Sequence, residues 1–205
     1  MTSSLLQAQL HPFQMQAQLP EFERKIRAFL AVLGIDLSSS QIDHLALRIN
    51  DELVAQAAHS AWLELGKEKS CAWVNGRPIV VIELLQAWLF LGQPVSVIEL
   101  PYPAKGKHYP QQGWEHIECV VPSKATTLDE FIEDVWHAFP LLKEHRASLE
   151  QQGVVYKFSA PKMDHILDDT TVLTNPSVAL KWQGVTLKFH PHTLLDVLES
   201  EQSRG

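Results

Sequence analysis

Between Leu19 and Leu33 the residues Phe22, Ile26, Phe29, Leu30 and Leu33 recur at three- and four-residue intervals, and Gly34 follows. That period predicts a helix with one buried face and a glycine stop. The Gln-rich residues 1–17 before it are weakly patterned and predict an irregular or loosely helical arm. Downstream the period changes. Ile42 to Ile49 predicts a strand, Glu52 to Leu65 a helix ended by Gly66, and Cys71 to Val74 a short strand closed by Asn75-Gly76, a strong hairpin signal. Ile79 to Leu85 predicts the next strand and Gln86 to Pro94 a loop. Val95 to Leu100 then predicts a strand that Pro101 and Pro103 terminate.

The same order returns after a linker rich in Pro, Gly and Lys. Trp114 to Val121 predicts a strand and Thr127 to Phe139 a helix, which Leu142 to Leu149 extends. Val154 to Phe158 predicts a strand, 159–176 a long loop, and Ser177 to Trp182 with Val185 to His190 a hairpin across Gln183-Gly184; 192–201 reads as a closing helix. Both halves are β-α-β-β-β. The expected fold class is therefore α+β, with two βαβββ modules forming a curved mixed sheet and helices outside, plus N-terminal helices. It is read as a single domain over 1–205: a helical arm over about 1–38, module one over about 39–102, module two over about 113–191 and a C-terminal helix over about 192–201.

Two short echoes mark matching places in the modules. Asp43-His44-Leu45 opens the first and Glu115-His116-Ile117 the second; the last strands end Ile98-Glu99-Leu100-Pro101 and Lys188-Phe189-His190-Pro191. Side chains alternate along a strand, so parity assigns faces. His44, Glu99, His116 and His190 all fall on the face opposite the mainly apolar one. A strand histidine is commonly a hydrogen-bonded structural residue, and a strand glutamate commonly faces solvent. Donors of this kind converging from separate rigid strands suit a metal ion at about 2.0–2.2 Å. Two imidazoles and a carboxylate fit Fe(II), Mn(II), Ni(II) or Zn(II), with open positions left for water or substrate.

Arg48 and Lys188 share that face and read either as clamps for an anionic ligand or as rim cations paired with Glu99 or Glu118. Glu118, two residues past His116, is a candidate ligand or catalytic base. Trp114 reads as a pocket wall or as a packing residue. Arg77 beside the hairpin glycine reads as structural, and His108, His165 and His192, in loops or at element ends, read as surface histidines or, for one of them, as an acid or base entering the site. The segment from Ser159 to His165 reads as a lid or as a loose connection. There is no nucleophile-elbow pattern and no phosphate-cradling Gly-rich loop.

Composition narrows the field further. The net charge is −7 with no basic run, which argues against nucleic acid as a partner. The two cysteines, Cys71 and Cys119, are too few for a disulfide framework or a Cys-rich zinc site and suit a reducing compartment. The first residues lack a basic n-region followed by an apolar core, and the apolar stretch from Val80 to Leu91 is too short to span a bilayer. A cytoplasmic protein with a small-molecule ligand and no membrane partner is expected, and a homodimer stays open.

The pair of βαβββ modules with donors on first and last strands resembles the vicinal oxygen chelate superfamily, which includes glyoxalases, bleomycin-resistance proteins and extradiol dioxygenases. More closely, the segments from Asp43 to Arg48, Asn75 to Ile79, Ile98 to Pro101, Gly113 to Glu118 and Lys188 to Pro191 resemble the bacterial YecM family over roughly 19–202. The resemblance implies metal binding without an assigned reaction, with His44, Glu99 and His116 at three superfamily ligand positions. His190 departs from that pattern, because the fourth position is more often a carboxylate. The first functional reading is a metal-dependent enzyme acting on a small oxygenated anionic substrate, with isomerase, lyase and dioxygenase chemistry all open, Glu99 or Glu118 as base and Arg48 or Lys188 as anchor. The competing reading is a binding protein on the same scaffold that sequesters a small molecule or metal and turns nothing over. An interaction module with a vestigial pocket is the third.

Overall fold

The computed structural model describes residues 2–74, 76–160 and 173–202. The chain is an α+β fold with a mixed sheet. Its elements are α1 (Thr2–Gln7), α2 (Pro12–Leu33), β1 (Gln41–Arg48), α3 (Glu52–Trp62), β2 (Gly66–Val74), β3 (Arg77–Phe90), β4 (Gln93–Pro101), β5 (Gly113–Val120), α4 (Leu128–Ala138), α5 (Pro140–Glu144), α6 (Arg146–Gln151), β6 (Val155–Ser159), β7 (Ser177–Trp182), β8 (Val185–His190) and α7 (Leu194–Gln202). No helix among the described residues is long and apolar enough to cross a membrane.

The chain folds as two compact units. The first joins the residues up to Arg27 with His44–Ile117; the second joins Ala28–Asp43 with the residues from Glu118 onward. In the first, the strand order is β2-β3-β4-β1-β5. β1 runs parallel to β4, and β3 is antiparallel to both β2 and β4. In the second, the last residues of β5 are followed by β8, β7 and β6, and the β6–β7 and β7–β8 pairs are antiparallel. The cut between units falls inside β1, β5 and α2, not in the linker between the two sequence modules.

Helix α2 starts well before the helix that periodicity predicts. Its buried stripe is Met15, Leu19, Phe22, Ile26, Phe29 and Leu33, so the apolar spacing continues into the Gln-rich region. Glutamine is a good helix former and does not oppose that extension. Pro20 sits inside the helix on an exposed face. There the carbonyl it leaves unpaired can bond water, and burial of the neighbouring stripe, about 1.5–3 kcal/mol per large apolar side chain, offsets the lost bond.

The predicted loop over 86–94 is instead a β3–β4 hairpin, with Phe90 paired to Gln93 and a register shift between Glu83 and Trp88. Its turn residues Leu91 and Gly92 have φ of 52° and 82°. Positive φ at both central positions matches the strand twist, and a Leu-Gly pair conceals that turn from a composition-based reading. Strand β2 begins at Gly66 instead of Cys71 and pairs Gly66 with Leu84. A Cβ on Gly66 would stand 2.5 Å from the Glu83 carbonyl oxygen, so this glycine permits the close approach of two strands, while α3 already ends at Trp62, short of the predicted stop at Gly66. Asn75 lies outside the described residues; Val74 pairs with Arg77.

Local signals fix the helix starts. Asp51 caps α3 by accepting from the Val54 N–H, and Thr127 with Glu130 forms a reciprocal capping box at α4. In the first unit Phe22 packs on Phe90 and Trp114, at centroid distances of 5.5 and 5.9 Å. In the second, Phe29 stacks on Trp182 at 5.7 Å. Buried Cys119, its thiol pushed far above the usual range by desolvation, serves as a small apolar side chain.

Candidate metal centre

Three of the expected donors meet in the first unit, each on a different strand: His44 on β1, Glu99 on β4 and His116 on β5. The parallel β1–β4 register sets Glu99 opposite Ala46, two residues past His44 and therefore on the same face. The two Glu99 oxygens divide between the two rings. Oε2 lies 3.9 Å from His44 Nε2, and Oε1 lies 3.8 Å from His116 Nε2. The rings are 6.2 Å apart at 70°, and one donor atom from each of the three residues falls within 4.8 Å of the others. Donors arranged tetrahedrally about 2.1 Å from one ion stand roughly 3.4 Å apart, so a small contraction would close the three around a cation. His44 and His116 are only 2% and 4% exposed, which shields the cluster from water.

Behind His116 stands a second layer that sequence reasoning did not identify. The Glu115 carboxylate accepts a hydrogen bond from His116 Nδ1. Its other oxygen, Oε1, is 2.6 Å from Arg48 Nη2. In a neutral imidazole with its proton on Nδ1, the Nε2 lone pair faces Glu99, which is the form a metal ligand requires. The Arg48 guanidinium lies over the Tyr109 ring at 3.9 Å. Tyr109 is itself tied to Asn50 by two bonds: its carbonyl accepts from Asn50 Nδ2 at 2.7 Å, and its N–H donates to Oδ1 at 3.0 Å. The signal for Glu115 was the acid that precedes each module's opening histidine. Strict alternation places neighbouring residues on opposite faces and so hid the contact.

The second unit gathers His190, Glu118 and Lys188, together with Asp43 and Asn175. His190 Nε2 lies 3.5 Å from Asp43 Oδ2 and 4.0 Å from Glu118 Oε2. Lys188 Nζ donates to Glu118 Oε1 at 2.6 Å. Asp43 Oδ2 also accepts from the Leu194 N–H at 3.0 Å, at the start of α7. Two bonds to His192 orient the Asn175 amide: its Nδ2 donates to the His192 carbonyl at 2.9 Å and its Oδ1 accepts from the His192 N–H at 3.1 Å. With that orientation, the remaining amide hydrogen points at His190 Nδ1, 2.9 Å away. Nδ1 must then be the acceptor, and the neutral ring carries its proton on Nε2. His190 and His116 are thus held in opposite tautomers.

The remaining candidates are placed as follows. Arg48 and Lys188, expected either as anion anchors or as rim cations paired with Glu99 or Glu118, each hold a carboxylate of the chain itself, Arg48 that of Glu115 and Lys188 that of Glu118. Trp114 donates its indole N–H to the Met15 carbonyl at 2.8 Å and packs among Phe22, Trp62 and Trp88, the contacts of a packing residue. Arg77 opens β3, His108 is exposed and His192 is half-buried. His165 and most of the expected lid from Ser159 to His165 lie outside the described residues.

Comparison with known proteins places these residues in context. The family model described as YecM protein matches residues 11–201. The chain is 32% identical to Protein YecM of Escherichia coli (strain K12), covering 91% of this chain and 92% of that protein. It is 38% identical to an uncharacterized protein of Haemophilus influenzae, covering 88% and 90% respectively. The solved structure of the structural-genomics protein EC4020 superposes with a TM-score of 0.75 at 30% identity, over 91% of this chain and 90% of that one.

Proposed function

Because the chain belongs to the YecM family, with a mixed-sheet α+β fold carrying a buried His/Glu cluster, we propose that it binds a divalent metal ion through His44, Glu99 and His116 and uses it to hold a small oxygenated ligand. The observation that carries the reading is the division of the Glu99 carboxylate between two buried imidazoles, one oxygen toward each Nε2. A carboxylate and two neutral imidazoles suit Fe(II), Mn(II), Ni(II) or Zn(II). The tautomer that Glu115 imposes on His116 fits the same role.

When bound, such an ion supplies Lewis acidity toward ligand oxygens. The chain's own residues do the rest: Glu99 contributes the negative charge, Glu115 orients one ring, and the buried histidines exclude water. The βαβββ order in each half, with β1 parallel to β4, supports a vicinal-oxygen-chelate reading, and with it isomerase, lyase or dioxygenase chemistry. One observation favours the second reading, a protein that holds its ligand without turnover. The candidate base Glu118 is engaged by Lys188 at 2.6 Å.

Metal content of protein purified without added metal, followed by melting with Zn(II), Mn(II), Ni(II) and Fe(II), tests the proposal. A metal at about 100 times its Kd adds about 2.7 kcal/mol, or roughly 5–10 °C in Tm for a chain of this size. The His44→Ala/His116→Ala double variant is expected to show no shift. Equal melting of wild type with and without every metal would sink the metal reading. Product formation in a screen of small diketone, hydroxy-acid and catechol compounds separates the enzyme from the binder.

A further inference from the structure

The ionic contacts around Arg48 bear on what this arginine does. Of the chain's cations it is one that parity assigns to the donor face, where an anchor for a ligand anion is the obvious role. Its guanidinium is engaged twice over, however: Nη2 meets Glu115 Oε1 at 2.6 Å, and its flat face covers the Tyr109 ring at 3.9 Å. Glu115, whose side chain is 14% exposed, spends its other oxygen on His116 Nδ1. A carboxylate removed from water this far is held in place by its charged hydrogen-bond partners, and Arg48 is one of them. Tyr109 is in turn pinned to Asn50 by both of its backbone polar groups, although it sits in the segment between β4 and β5.

We infer that Arg48 is a positioning residue for the ligand His116, acting through Glu115, and that Tyr109 holds Arg48 in that place. The inference rests on the metal reading of His44, Glu99 and His116. The chain of contacts is Asn50, Tyr109, Arg48, Glu115, His116, and each link has a separate chemistry: paired backbone bonds, cation on ring, ion pair, carboxylate on imidazole. Arg48 keeps Glu115 aimed, and Glu115 accepts from His116 Nδ1, so that Nε2 is the ring nitrogen turned toward Glu99. A lysine in place of Arg48 would keep the charge but lose the planar face that stacks on Tyr109.

The test uses the full chain and Zn(II) alone, with affinity read by competition against a chromophoric chelator and the His116 tautomer read from ring-nitrogen NMR shifts. Outer partners of metal-bound histidines are typically worth about 10–100-fold in affinity. Glu115→Gln is expected to weaken Zn(II) binding within that range, and Arg48→Met by about tenfold. Arg48→Lys should recover part of the loss. Tyr109→Phe keeps the ring and should match wild type, whereas Tyr109→Leu should fall toward Arg48→Met. The decisive arm is the Arg48→Met/Glu115→Gln double variant, which should bind no more weakly than Glu115→Gln alone. Additive losses, or unchanged affinity in Arg48→Met, would overturn the inference. If wild type binds no metal, the metal reading has failed. The tautomer of His116 in metal-free protein then still decides the support arm: an Nδ1 proton that persists unaltered in Arg48→Met refutes it.

Discussion

His116 in the first unit and His190 in the second are both buried, both lie on strands, and both have carboxylates within 4 Å of Nε2. What stands behind each ring separates them. A carboxylate, Glu115, accepts a hydrogen bond from Nδ1–H of His116, whereas an amide, Asn175, donates a hydrogen bond to Nδ1 of His190. The first arrangement turns a lone pair forward; the second turns an N–H forward. Two buried strand histidines, one on the first and one on the last strand of the same sequence module, can therefore differ in chemistry by one atom on a neighbouring side chain. Asp43 and Glu118 suit the second case, because an N–H within about 4 Å of two carboxylates is favourable where a lone pair would be repelled.

The largest effect that can break this comparison is on metal affinity. His116→Ala is expected to weaken Zn(II) binding by more than about 100-fold, beyond what loss of an outer partner causes. His190→Ala, if its ring carries the proton on Nε2, should change affinity by less than about threefold, since no lone pair is then lost at the ion. Isothermal titration of the two variants decides between them. Equal losses would place His190 among the ligands and show that the Asn175 amide turns over when metal binds.

Much of this architecture was legible in the chain. Parity placed His44, Glu99 and His116 on one face before any coordinates, because strand period and donor chemistry are both local properties. The hairpin across Gln183-Gly184 was legible for the same reason, and its residues have φ of 44° and 84°. Leu91-Gly92 adopts the same geometry, but its first residue is apolar and continues the apolar run of Trp88 to Phe90, so the β3–β4 hairpin was not. Met15 was hidden among glutamines, although it lies four residues before Leu19 in the buried stripe. Asn175 carried no signal at all, since it sits outside any periodic element and its meaning comes only from the His192 backbone it binds. Patterns report faces. They do not report which neighbour holds a ring's proton.

Stability responds in the opposite sense to metal. Asn175→Ala removes two bonds to the His192 backbone and the donor to His190 Nδ1. Leaving part-buried polar groups unsatisfied costs about 1–3 kcal/mol, so a loss near 2 kcal/mol is expected in urea unfolding, with Zn(II) affinity unchanged. A variant as stable as wild type would mean that water replaces the amide.

The smallest and most specific effect comes from making the second region resemble the first. Asn175→Asp keeps the oxygen that accepts from the His192 N–H but replaces the amide donor by a second acceptor. The lost bond to the His192 carbonyl should cost about 1 kcal/mol. A carboxylate beside Nδ1 then draws the His190 proton to that nitrogen, as Glu115 does for His116, and the ring-nitrogen NMR shifts should invert. The Nε2 lone pair would turn toward Asp43 and Glu118, an arrangement that needs a cation to be favourable. Zn(II) is therefore expected to protect Asn175→Asp against urea more than it protects wild type. Unaltered ring shifts in this variant would show that Asp43 and Glu118, not the amide, dictate where the His190 proton resides, and the contrast between the two histidines would lose its cause.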